Sequence, residues 1–203
     1  MRKNHSWKVF AILAAVFFAL ALSSCSRSKE RTTPLQEDAA QKSELYQEQN
    51  NAGVFVGDKA QDFIFLDKEG NEIRLSDLRG KAIFLQFWTT WCQSCVRQMP
   101  ILQEVYETYS QRDDVVFLLI NVLSVEKGND KDGVNQFLEE NGYDLPVVFD
   151  MDGEVAAQYQ VRGFPTTYML DKKGNIVDFT TKPTEKEEIV EMIENALQSS
   201  EGN

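Results

Sequence analysis

A Cys-x-x-Cys pair, Cys92 and Cys95, lies between a stretch typical of a buried strand and a stretch typical of a helix. The strand is predicted for residues 82–88, which are apolar except for Gln86. The helix is predicted from apolar residues at helical spacing, namely Val96, Met99, Leu102, Val105, Tyr106 and Tyr109. The first sulfur is therefore expected at a helix N-terminus, where unpaired N–H groups and the helix dipole favour a thiolate. A thiolate with a second sulfur one turn away can carry out reversible disulfide exchange.

The cysteine pair could also be half of a zinc site or two buried thiols. Zinc sites usually have four ligands, and residues 26–203 contain neither a second cysteine pair nor a histidine. The only histidine is His5, so a domain that lacks the N-terminus cannot use Cys–His nucleophilic catalysis. Copper(I) remains an alternative, because that soft ion accepts two thiolates. The sequence favours a redox-active disulfide, with no metal and no further cofactor.

The first 24 residues have the features of a bacterial export signal. A basic start precedes an uncharged apolar run, residues 9–22, which is shorter than the ~20 residues that a membrane-spanning helix needs. Leu22-Ser23-Ser24-Cys25 then resembles a bacterial lipobox, in which the cysteine is lipidated and becomes the mature N-terminus. The alternatives are an ordinary signal peptide or an uncleaved anchor. We predict a lipoprotein signal over residues 1–24, with the lipid on Cys25 holding the protein to the extracytoplasmic side of the cell membrane.

The rest of the chain divides into a polar segment and a globular segment. Residues 25–52 contain one aromatic residue, Tyr46, and are predicted to be the lipidated end and a flexible tether, whereas residues 53–203 are predicted to form one domain. As a flexible coil, the tether would span roughly 30 Å. Loss of residues 1–24 removes three basic residues and no acidic one, so the formal net charge falls from −11 to −14. This acidity argues against nucleic acid as a partner.

Strand and helix patterns alternate along the globular segment. Two hairpins are predicted, over residues 63–75 and 166–180, and Ser76 is predicted to cap a short helical turn. Thr184-x-x-Glu187 predicts a capping box at the start of the last helix. The other predicted elements are strand 115–122, helix 134–141, strand 146–149 and helix 155–159. This order predicts an α/β fold, with a mixed central sheet and helices on both faces.

Gly163-Phe164-Pro165-Thr166 precedes a predicted strand, where the missing N–H of proline is unfavourable. An ordinary trans proline at the start of an edge strand is one explanation. The other is a cis Phe164–Pro165 bond next to the cysteines, since proline makes a cis peptide accessible. Such a turn would leave the backbone of Phe164 free to pair with an extended substrate segment. A second proline, Pro100, falls inside the first predicted helix and is expected to kink it.

These motifs resemble those of the thioredoxin-like thiol-disulfide oxidoreductases that work outside the cytoplasm, the TlpA/ResA type. The resemblance covers residues 54–198. It rests on Asp62-Phe63 through Leu75-Ser76-Asp77-Leu78-Arg79-Gly80-Lys81, on Phe87-Trp88-Thr89-Thr90-Trp91-Cys92-Gln93-Ser94-Cys95, on Pro100 and on Gly163-Phe164-Pro165-Thr166-Thr167. It implies a thioredoxin fold with a strand–helix insertion between residues 122 and 149, and anchorage by a lipid or a helix. It also implies Cys92 as the nucleophile, Cys95 as the resolving thiol and a cis peptide at Pro165, with Trp91 and Phe164 beside them.

Two positions depart from the family pattern. Plain thioredoxin has a buried aspartate where this chain has Gln86, and the ResA type has a glutamate where this chain has Gln98. Both carboxylates that are often credited with moving the proton of the resolving thiol are therefore amides, which cannot titrate near neutrality. We hypothesise that Cys92 ionises as a simple helix-stabilised thiolate, because no neighbouring carboxylate opposes its charge. Cys95 would then lose its proton to water or to the departing substrate thiolate.

Four functions can be derived from these features. The first is a reductase that passes electrons to disulfides in exported proteins and is recycled by a membrane electron donor. The second inserts disulfides with the same site. The third is a Cu(I) metallochaperone, although copper-delivery relatives use a wider cysteine spacing and a distant histidine. The fourth is a thiol peroxidase, whose relatives place a proline ahead of the residue that corresponds to Thr89, and this chain does not. We predict a membrane-anchored extracytoplasmic thiol-disulfide oxidoreductase that works in the reducing direction.

Overall fold

The central strand of the fold is the predicted apolar stretch, Ala82–Trp88, in which all seven residues are buried. The structure is a computed structural model and describes residues 52–68, 70–128 and 130–199. The predicted export signal, the lipidation site Cys25 and nearly all of the predicted tether lie outside the described residues. None of the helices within these ranges is long and apolar enough to cross a membrane.

The secondary structure elements of the described residues are named in chain order. The strands are β1 (Ala52–Gly53), β2 (Lys59–Ala60), β3 (Ile64–Leu66), β4 (Glu72–Arg74), β5 (Ala82–Trp88), β6 (Val115–Val122), β7 (Val147–Asp150), β8 (Thr166–Leu170) and β9 (Ile176–Thr180). The α-helices are α1 (Gln93–Tyr109), α2 (Lys131–Glu140), α3 (Glu154–Gln158) and α4 (Lys186–Gln198). Short 3-10 helices follow β4 and β6, at Leu75–Leu78 and Leu123–Val125.

Five strands form the central sheet, in the order β7-β6-β5-β8-β9. β5, β6 and β7 run parallel to one another, whereas β8 is antiparallel to both β5 and β9. A strand in the middle of such a sheet is covered on both faces, which explains why β5 is an almost continuous apolar run instead of an alternating one. The predicted mixed sheet is therefore confirmed.

Alternate residues of β5 contribute to two separate cores. Phe84 and Trp88 belong to a cluster that includes the inner faces of α1 and α4. Phe87 points to the other face and belongs to a cluster with residues of β3 and α3. Cys92 and Cys95 are part of the first cluster, so the cysteine pair lies on the same core as α1 and α4. Helices thus cover both faces of a mixed sheet, as expected for the thioredoxin fold.

The cap of the last helix differs from its prediction. α4 has Glu185 as its N-cap, and the N–H of Glu185 donates to Glu188 Oε2 at 3.2 Å. The predicted cap residue, Thr184, is buried, and its hydroxyl and carbonyl oxygens both accept hydrogen bonds from Gln98. The hydrogen bond from Gln98 therefore occupies the Thr184 hydroxyl that the capping-box motif assigns to the N-cap, and α4 begins one residue later.

Two further predictions concern the residues Ser76 and Pro100. The turn at Leu75–Leu78 begins before Ser76, so the prediction that Ser76 caps it is wrong. The N–H and hydroxyl of Ser76 donate instead to the carboxylate of Asp62, at 2.9 and 3.0 Å. Pro100 is an exposed residue inside α1, and the helix continues past it to Tyr109, so the kink expected at this residue stays a prediction.

The direction of β5 gives the sheet two distinct ends. β5 ends and β8 begins at the end that carries Cys92 and Pro165, which we call the disulfide end. β5 begins and β8 ends at the other, which we call the opposite end. There the N–H of Gly80 donates to the carbonyl of Lys172 at 2.8 Å, which ties the start of β5 to the turn after β8.

Candidate active site

Cys92 and Cys95 are joined by a disulfide at the start of α1. Cys92 is the N-cap residue of this helix, and its Sγ accepts a hydrogen bond from the N–H of Cys95 at 3.1 Å. Cys92 exposes 6% of its surface, whereas Cys95 exposes none. The predicted position at a helix N-terminus is therefore confirmed, and the sulfur of Cys92 is the one that a second molecule can approach.

The Phe164–Pro165 peptide bond is cis, as the proline motif predicts. Pro165 is buried, and β8 begins directly after it. Ser94 connects this turn to the disulfide, because its Oγ lies 3.3 Å from Cys92 Sγ and donates to the carbonyl of Phe164 at 3.4 Å. The backbone of Phe164 is thus not fully free, contrary to the prediction, since its carbonyl oxygen already accepts from Ser94.

Trp91 forms one wall of the site. Its ring meets the ring of Phe164 edge-on, with centroids 6.0 Å apart, and its indole N–H donates to the carbonyl of Val125 at 2.9 Å. The ammonium of Lys127 lies 4.1 Å from the centre of the indole ring, a cation–π contact. Trp91 is 39% exposed, so it presents an apolar face next to Cys92. Its contacts with Val125 and Lys127 fix the position of the ring.

Glu126, which no sequence motif singles out, holds the loop that leads to Cys92. Its carboxylate accepts hydrogen bonds from the N–H and the hydroxyl of Thr90 and from the side-chain amide of Asn121, each at 2.7 Å. Together with Val125 and Lys127, Glu126 forms a three-residue clamp on Thr90 and Trp91. Parallel strands bring their carboxyl ends to one edge of a sheet, which is the signal that could have placed this segment after β6 beside the cysteine motif after β5.

Replacing Glu126 with glutamine is expected to loosen this clamp. The amide retains one acceptor oxygen and turns an NH2 group toward donors, so the free energy of unfolding should fall by about 1–3 kcal/mol. Urea unfolding measures this loss, and acrylamide quenching of tryptophan emission should rise because Trp91 is less firmly held. The control is Glu72→Gln at an exposed strand position, which should change neither quantity. Equal stability of the two variants would contradict the proposed clamp.

The two amides that replace the family carboxylates lie in one buried hydrogen-bonded chain. Thr167 Oγ1 donates to Gln86 Oε1 at 3.2 Å, and Gln86 Nε2 donates to Gln98 Oε1 at 3.3 Å. Gln98 Nε2 in turn donates to the hydroxyl and the carbonyl of Thr184, at 2.7 and 3.2 Å. Within the described residues, neither amide makes a hydrogen bond to a cysteine sulfur. This hydrogen-bonded chain is therefore neutral, and its hydrogen bonds join the two glutamines to each other and to the threonines.

The tyrosines behind the sheet do not supply a base. Burial raises the pKa of Tyr168 to about 12 and raises that of Tyr159 well above its ordinary value. Both phenols therefore stay protonated and donate, Tyr168 to the carbonyl of Tyr159 at 2.8 Å and Tyr159 to the carbonyl of Gln61 at 2.6 Å. The part of the chain that the structure describes also contains no group of three or more His, Cys, Asp or Glu side chains placed to hold a metal ion.

An open groove of about 430 Å³ is lined by Trp91, the residue before Cys92, and by Phe164, the residue before the cis proline. Trp91 and Phe164 form the wall next to Cys92, while Val125 and Ala157 add apolar surface further away. Arg162 and Asp152 contribute charges of opposite sign to the lining. A larger groove of about 640 Å³, between β3 and β7, includes none of the residues that contact the disulfide. The smaller groove is thus the one that a molecule bound at Cys92 would meet.

The comparisons with known proteins agree with this geometry. The AhpC/TSA family model matches residues 56–179, which is more than half of the chain. The chain belongs to the AhpC/TSA family. Thiol-disulfide oxidoreductase ResA of Geobacillus kaustophilus is 39% identical over 142 residues, which make up 70% of this chain and 78% of that protein. The family and the activity of this relative agree with the thioredoxin-like fold and the Cys92–Cys95 disulfide of the structure.

Two solved structures are also similar to this chain. StoA of Bacillus subtilis has a TM-score of 0.58 and 27% identity, and the match covers 65% of this chain and 96% of that one. The exposed lipoprotein thioredoxin Etrx1 of Streptococcus pneumoniae has a TM-score of 0.59 and 29% identity, over 66% of this chain and 99% of that one. The protein is therefore a ResA-type thiol-disulfide oxidoreductase of the AhpC/TSA family, with Cys92 and Cys95 as its Cys-x-x-Cys pair.

The environment of Thr89 does not favour peroxidase chemistry in this member of the family. Thr89 is buried three residues before Cys92, and its hydroxyl has no hydrogen-bond partner among the described residues. The Cys92 sulfur instead accepts a hydrogen bond from the N–H of Cys95 and lies 3.3 Å from the hydroxyl oxygen of Ser94. The sulfur is arranged for exchange with its partner cysteine.

Proposed function

We propose that this protein is a membrane-anchored reductase that acts outside the cytoplasm on disulfides of exported proteins. The observation that carries the proposal is the position of Cys92, a slightly exposed sulfur at a helix N-cap with the buried Cys95 one turn along the helix. In this arrangement Cys92 is the nucleophile and Cys95 the resolving thiol. Pro165 and Phe164 form the neighbouring surface on which an extended client segment lies.

The surroundings of Cys92 support the reducing direction. A strongly oxidising pair needs a highly stabilised thiolate, because the stability of the dithiol form sets the reduction potential. Within the described residues, one N–H, that of Cys95, donates to Cys92 Sγ, and the Ser94 hydroxyl, which donates to the carbonyl of Phe164, lies 3.3 Å from the sulfur. Residues 26–203 contain no histidine that could add a positive charge. Modest stabilisation of the thiolate favours a pair that gives up electrons.

The exchange proceeds in two balanced steps. The Cys92 thiolate attacks one sulfur of the client disulfide, which forms a mixed disulfide and releases the other client sulfur as a thiolate. The thiol proton of Cys95 passes to water or to this departing thiolate, and the Cys95 sulfur then attacks Cys92 Sγ. The internal disulfide forms, and the second client sulfur leaves reduced. Two electrons move from the cysteine pair to the client, and a membrane electron donor restores the dithiol.

The groove beside the disulfide is suited to the apolar residues that flank a client cysteine. Trp91 and Phe164 provide two aromatic surfaces, of which Trp91 is 39% exposed and supported by Val125. Aromatic surfaces of this kind bind apolar side chains with little loss of conformational freedom. The acidic domain as a whole favours protein clients over nucleic acid, in keeping with its net charge.

Anchorage is the second part of the proposal. Residues 1–24 act as a lipoprotein signal, Cys25 carries the lipid, residues 25–52 form the tether and residues 53–203 form the catalytic domain. The lipobox pattern before Cys25 supports this division. The similarity to Etrx1, whose solved structure is described as that of an exposed lipoprotein thioredoxin, also supports it. Two or more acyl chains on one cysteine hold a protein stably at a bilayer.

The reduction potential of the cysteine pair tests the direction. We expect a value of about −270 mV or below, the range of thioredoxin, instead of about −120 mV, the value of a strong oxidant. Equilibration of the purified protein with dithiothreitol buffers, followed by alkylation of free thiols, gives this potential. A value close to that of the strong oxidant would contradict the reductase and support disulfide insertion. Tight Cu(I) binding without turnover in a disulfide-reduction assay would contradict both.

A further inference from the structure

The two most exposed large apolar side chains of the described residues lie together at the opposite end of the sheet. Phe55 is 70% exposed and Val56 is 61% exposed, and both lie in the loop between β1 and β2. The loop is held in shape, because the Asp58 carboxylate accepts from the N–H of Phe55 at 2.9 Å and the N–H of Gly57 donates to Ile176 at 2.8 Å. A fixed loop therefore presents these two side chains to the outside.

Basic residues lie in this loop and in the loops that hydrogen bonds connect to it. We define the basal patch as the loops at residues 55–59, 79–81 and 171–175, which are joined by hydrogen bonds: the side chain of Lys59 donates to the carbonyl of Lys173 at 2.7 Å, and Gly80 donates to Lys172. The basic residues of the patch are Lys59, Arg79, Lys81, Lys172 and Lys173. Its acidic residues are Asp58 and Asp171. The patch thus carries a formal charge of +3.

The rest of the domain has the opposite charge. Between residues 51 and 203, nine basic and twenty-five acidic residues lie outside the patch, a formal charge of −16. The two carboxylates inside the patch are turned toward the backbone: Asp58 accepts from Phe55, and the buried Asp171 accepts from the N–H groups of Lys173 and Asn175. The neighbouring Asp114 pairs with Arg112 and Lys172. The basal patch is therefore a positive area on a strongly negative protein.

The chain also enters the domain at this place. Ala52, the first described residue, pairs with Lys59 of the patch, and Lys59 in turn pairs with Asn175. Twenty-six residues separate Ala52 from Cys25. That length spans roughly 30 Å as a coil and at most about 95 Å when fully extended. The tether lets the patch reach the bilayer without dictating which end of the domain faces it.

We propose that the basal patch docks on the anionic lipid surface to which the protein is anchored, so that the disulfide end faces away from the membrane. This inference depends on the lipid anchor of the proposed function. Basic residues next to an anionic bilayer are attracted to it, and an exposed phenylalanine inserts at the headgroup level. The remaining surface, which is negative, is repelled by the same bilayer. Docking thus presents Cys92 to exported clients while the domain stays at the membrane.

Fluorescence of the full-length lipoprotein in vesicles tests this orientation. A tryptophan is introduced by Phe55→Trp, or by Phe179→Trp as a matched control at an exposed aromatic position outside the patch. The variants are reconstituted into vesicles with shallowly brominated lipids, made of phosphatidylcholine alone or mixed with phosphatidylglycerol. We expect the Phe55→Trp emission, corrected for the parent protein, to be quenched at least about fivefold more in phosphatidylglycerol vesicles than in neutral ones. The control emission should not differ.

Charge variants complete the experiment. Lys81→Gln with Lys173→Gln should lower the docked population by about fivefold for each charge removed, whereas Arg97→Gln with Lys182→Gln, at the disulfide end, should leave it unchanged. Equal quenching in the two kinds of vesicle would overturn the docking surface. A change that follows protein density instead of lipid charge would assign the patch to a second copy of the chain and also overturn it. Failure of the lipoprotein to co-sediment with neutral vesicles would instead disprove the lipid anchor. Absence of disulfide exchange by the protein in detergent would disprove the proposed enzymatic activity.

Discussion

Replacement of Cys95 with serine is expected to abolish turnover and to leave each client covalently attached to Cys92. Cys95 is fully buried one turn along α1 and is the sulfur that releases the client from the mixed disulfide. Without it the first exchange step still occurs, because Cys92 keeps its place at the helix N-cap. Turnover of a disulfide-bonded peptide should fall by at least about a thousandfold, with one equivalent of peptide bound per protein. Non-reducing gels and intact mass measure the adduct.

The matched control for this experiment is Cys92→Ser, which should neither turn over nor form an adduct. Cys95 alone lies too deep to reach a client, since none of its surface is exposed. An adduct on the Cys92→Ser variant would reverse the assigned roles of the two sulfurs. Retained turnover by either variant would contradict the two-step exchange. The trapped adduct, formed in an extract of exported proteins, also identifies the clients.

Replacement of Gln98 with glutamate is expected to make the stability of the protein fall as pH rises. Gln98 is 2% exposed, and its NH2 group donates to both the hydroxyl and the carbonyl of Thr184. A protonated carboxyl group can still donate one of these bonds, whereas a carboxylate can donate neither and faces the carbonyl oxygen. The pKa of the introduced group is therefore higher in the folded state than its unfolded value of about 4.3.

The sign of this pH dependence follows from linkage. A raised folded-state pKa stabilises the protein below the unfolded pKa, and this contribution is lost as pH rises through the folded value. At neutral pH, where a buried donor has been lost, the free energy of unfolding should be lower by about 1–3 kcal/mol or more. Urea unfolding of the oxidised protein at about pH 5 and pH 8 measures the change. Gln111→Glu, at an exposed position after α1, should show no such slope.

The same variant tests the hypothesis about Cys92. In the reduced protein, a carboxylate introduced at position 98, three residues after Cys95 in α1, adds a negative charge that opposes thiolate formation. The midpoint of thiolate absorbance against pH should therefore move upward relative to the parent protein. An unchanged titration curve would reject the hypothesis that the neutral chain of Gln86 and Gln98 leaves Cys92 as a simple helix-stabilised thiolate.

Strands were predicted more accurately than helix ends. β5 and β6 begin and end at the residues that the pattern predicts, and β8 begins at the predicted start of its hairpin, because a strand buried on both faces has a continuous apolar sequence with sharp limits. The helix predicted for residues 134–141 begins earlier, at Lys131, since Asp130 caps it by accepting from the N–H of Gly133. The start of α4 was displaced because Gln98, distant in sequence, engages Thr184. Local patterns do not reveal such competition.

The candidate site also contains some features that the sequence reveals and others that it does not. The two cysteines, the cis proline and the identity of Gln86 and Gln98 are visible in the sequence, because each depends on a residue type at a fixed spacing. The clamp of Glu126 on Thr90 is not visible in the sequence, because the two residues come together only when β6 pairs with β5. A polar stretch after a strand gives no sign of which of its side chains turns inward.

The sequence by itself determined the chemistry, because a cysteine pair at a strand-to-helix junction has few other uses in a domain without histidine. The folded chain alone decided what surrounds that chemistry: which carboxylate braces the loop before Cys92, and that the two glutamines bond to each other and to threonines. It also gathered Phe55, Lys81 and Lys173 at one end of the sheet. Contacts between residues far apart in sequence depend on strand pairing and packing, which a linear pattern does not encode.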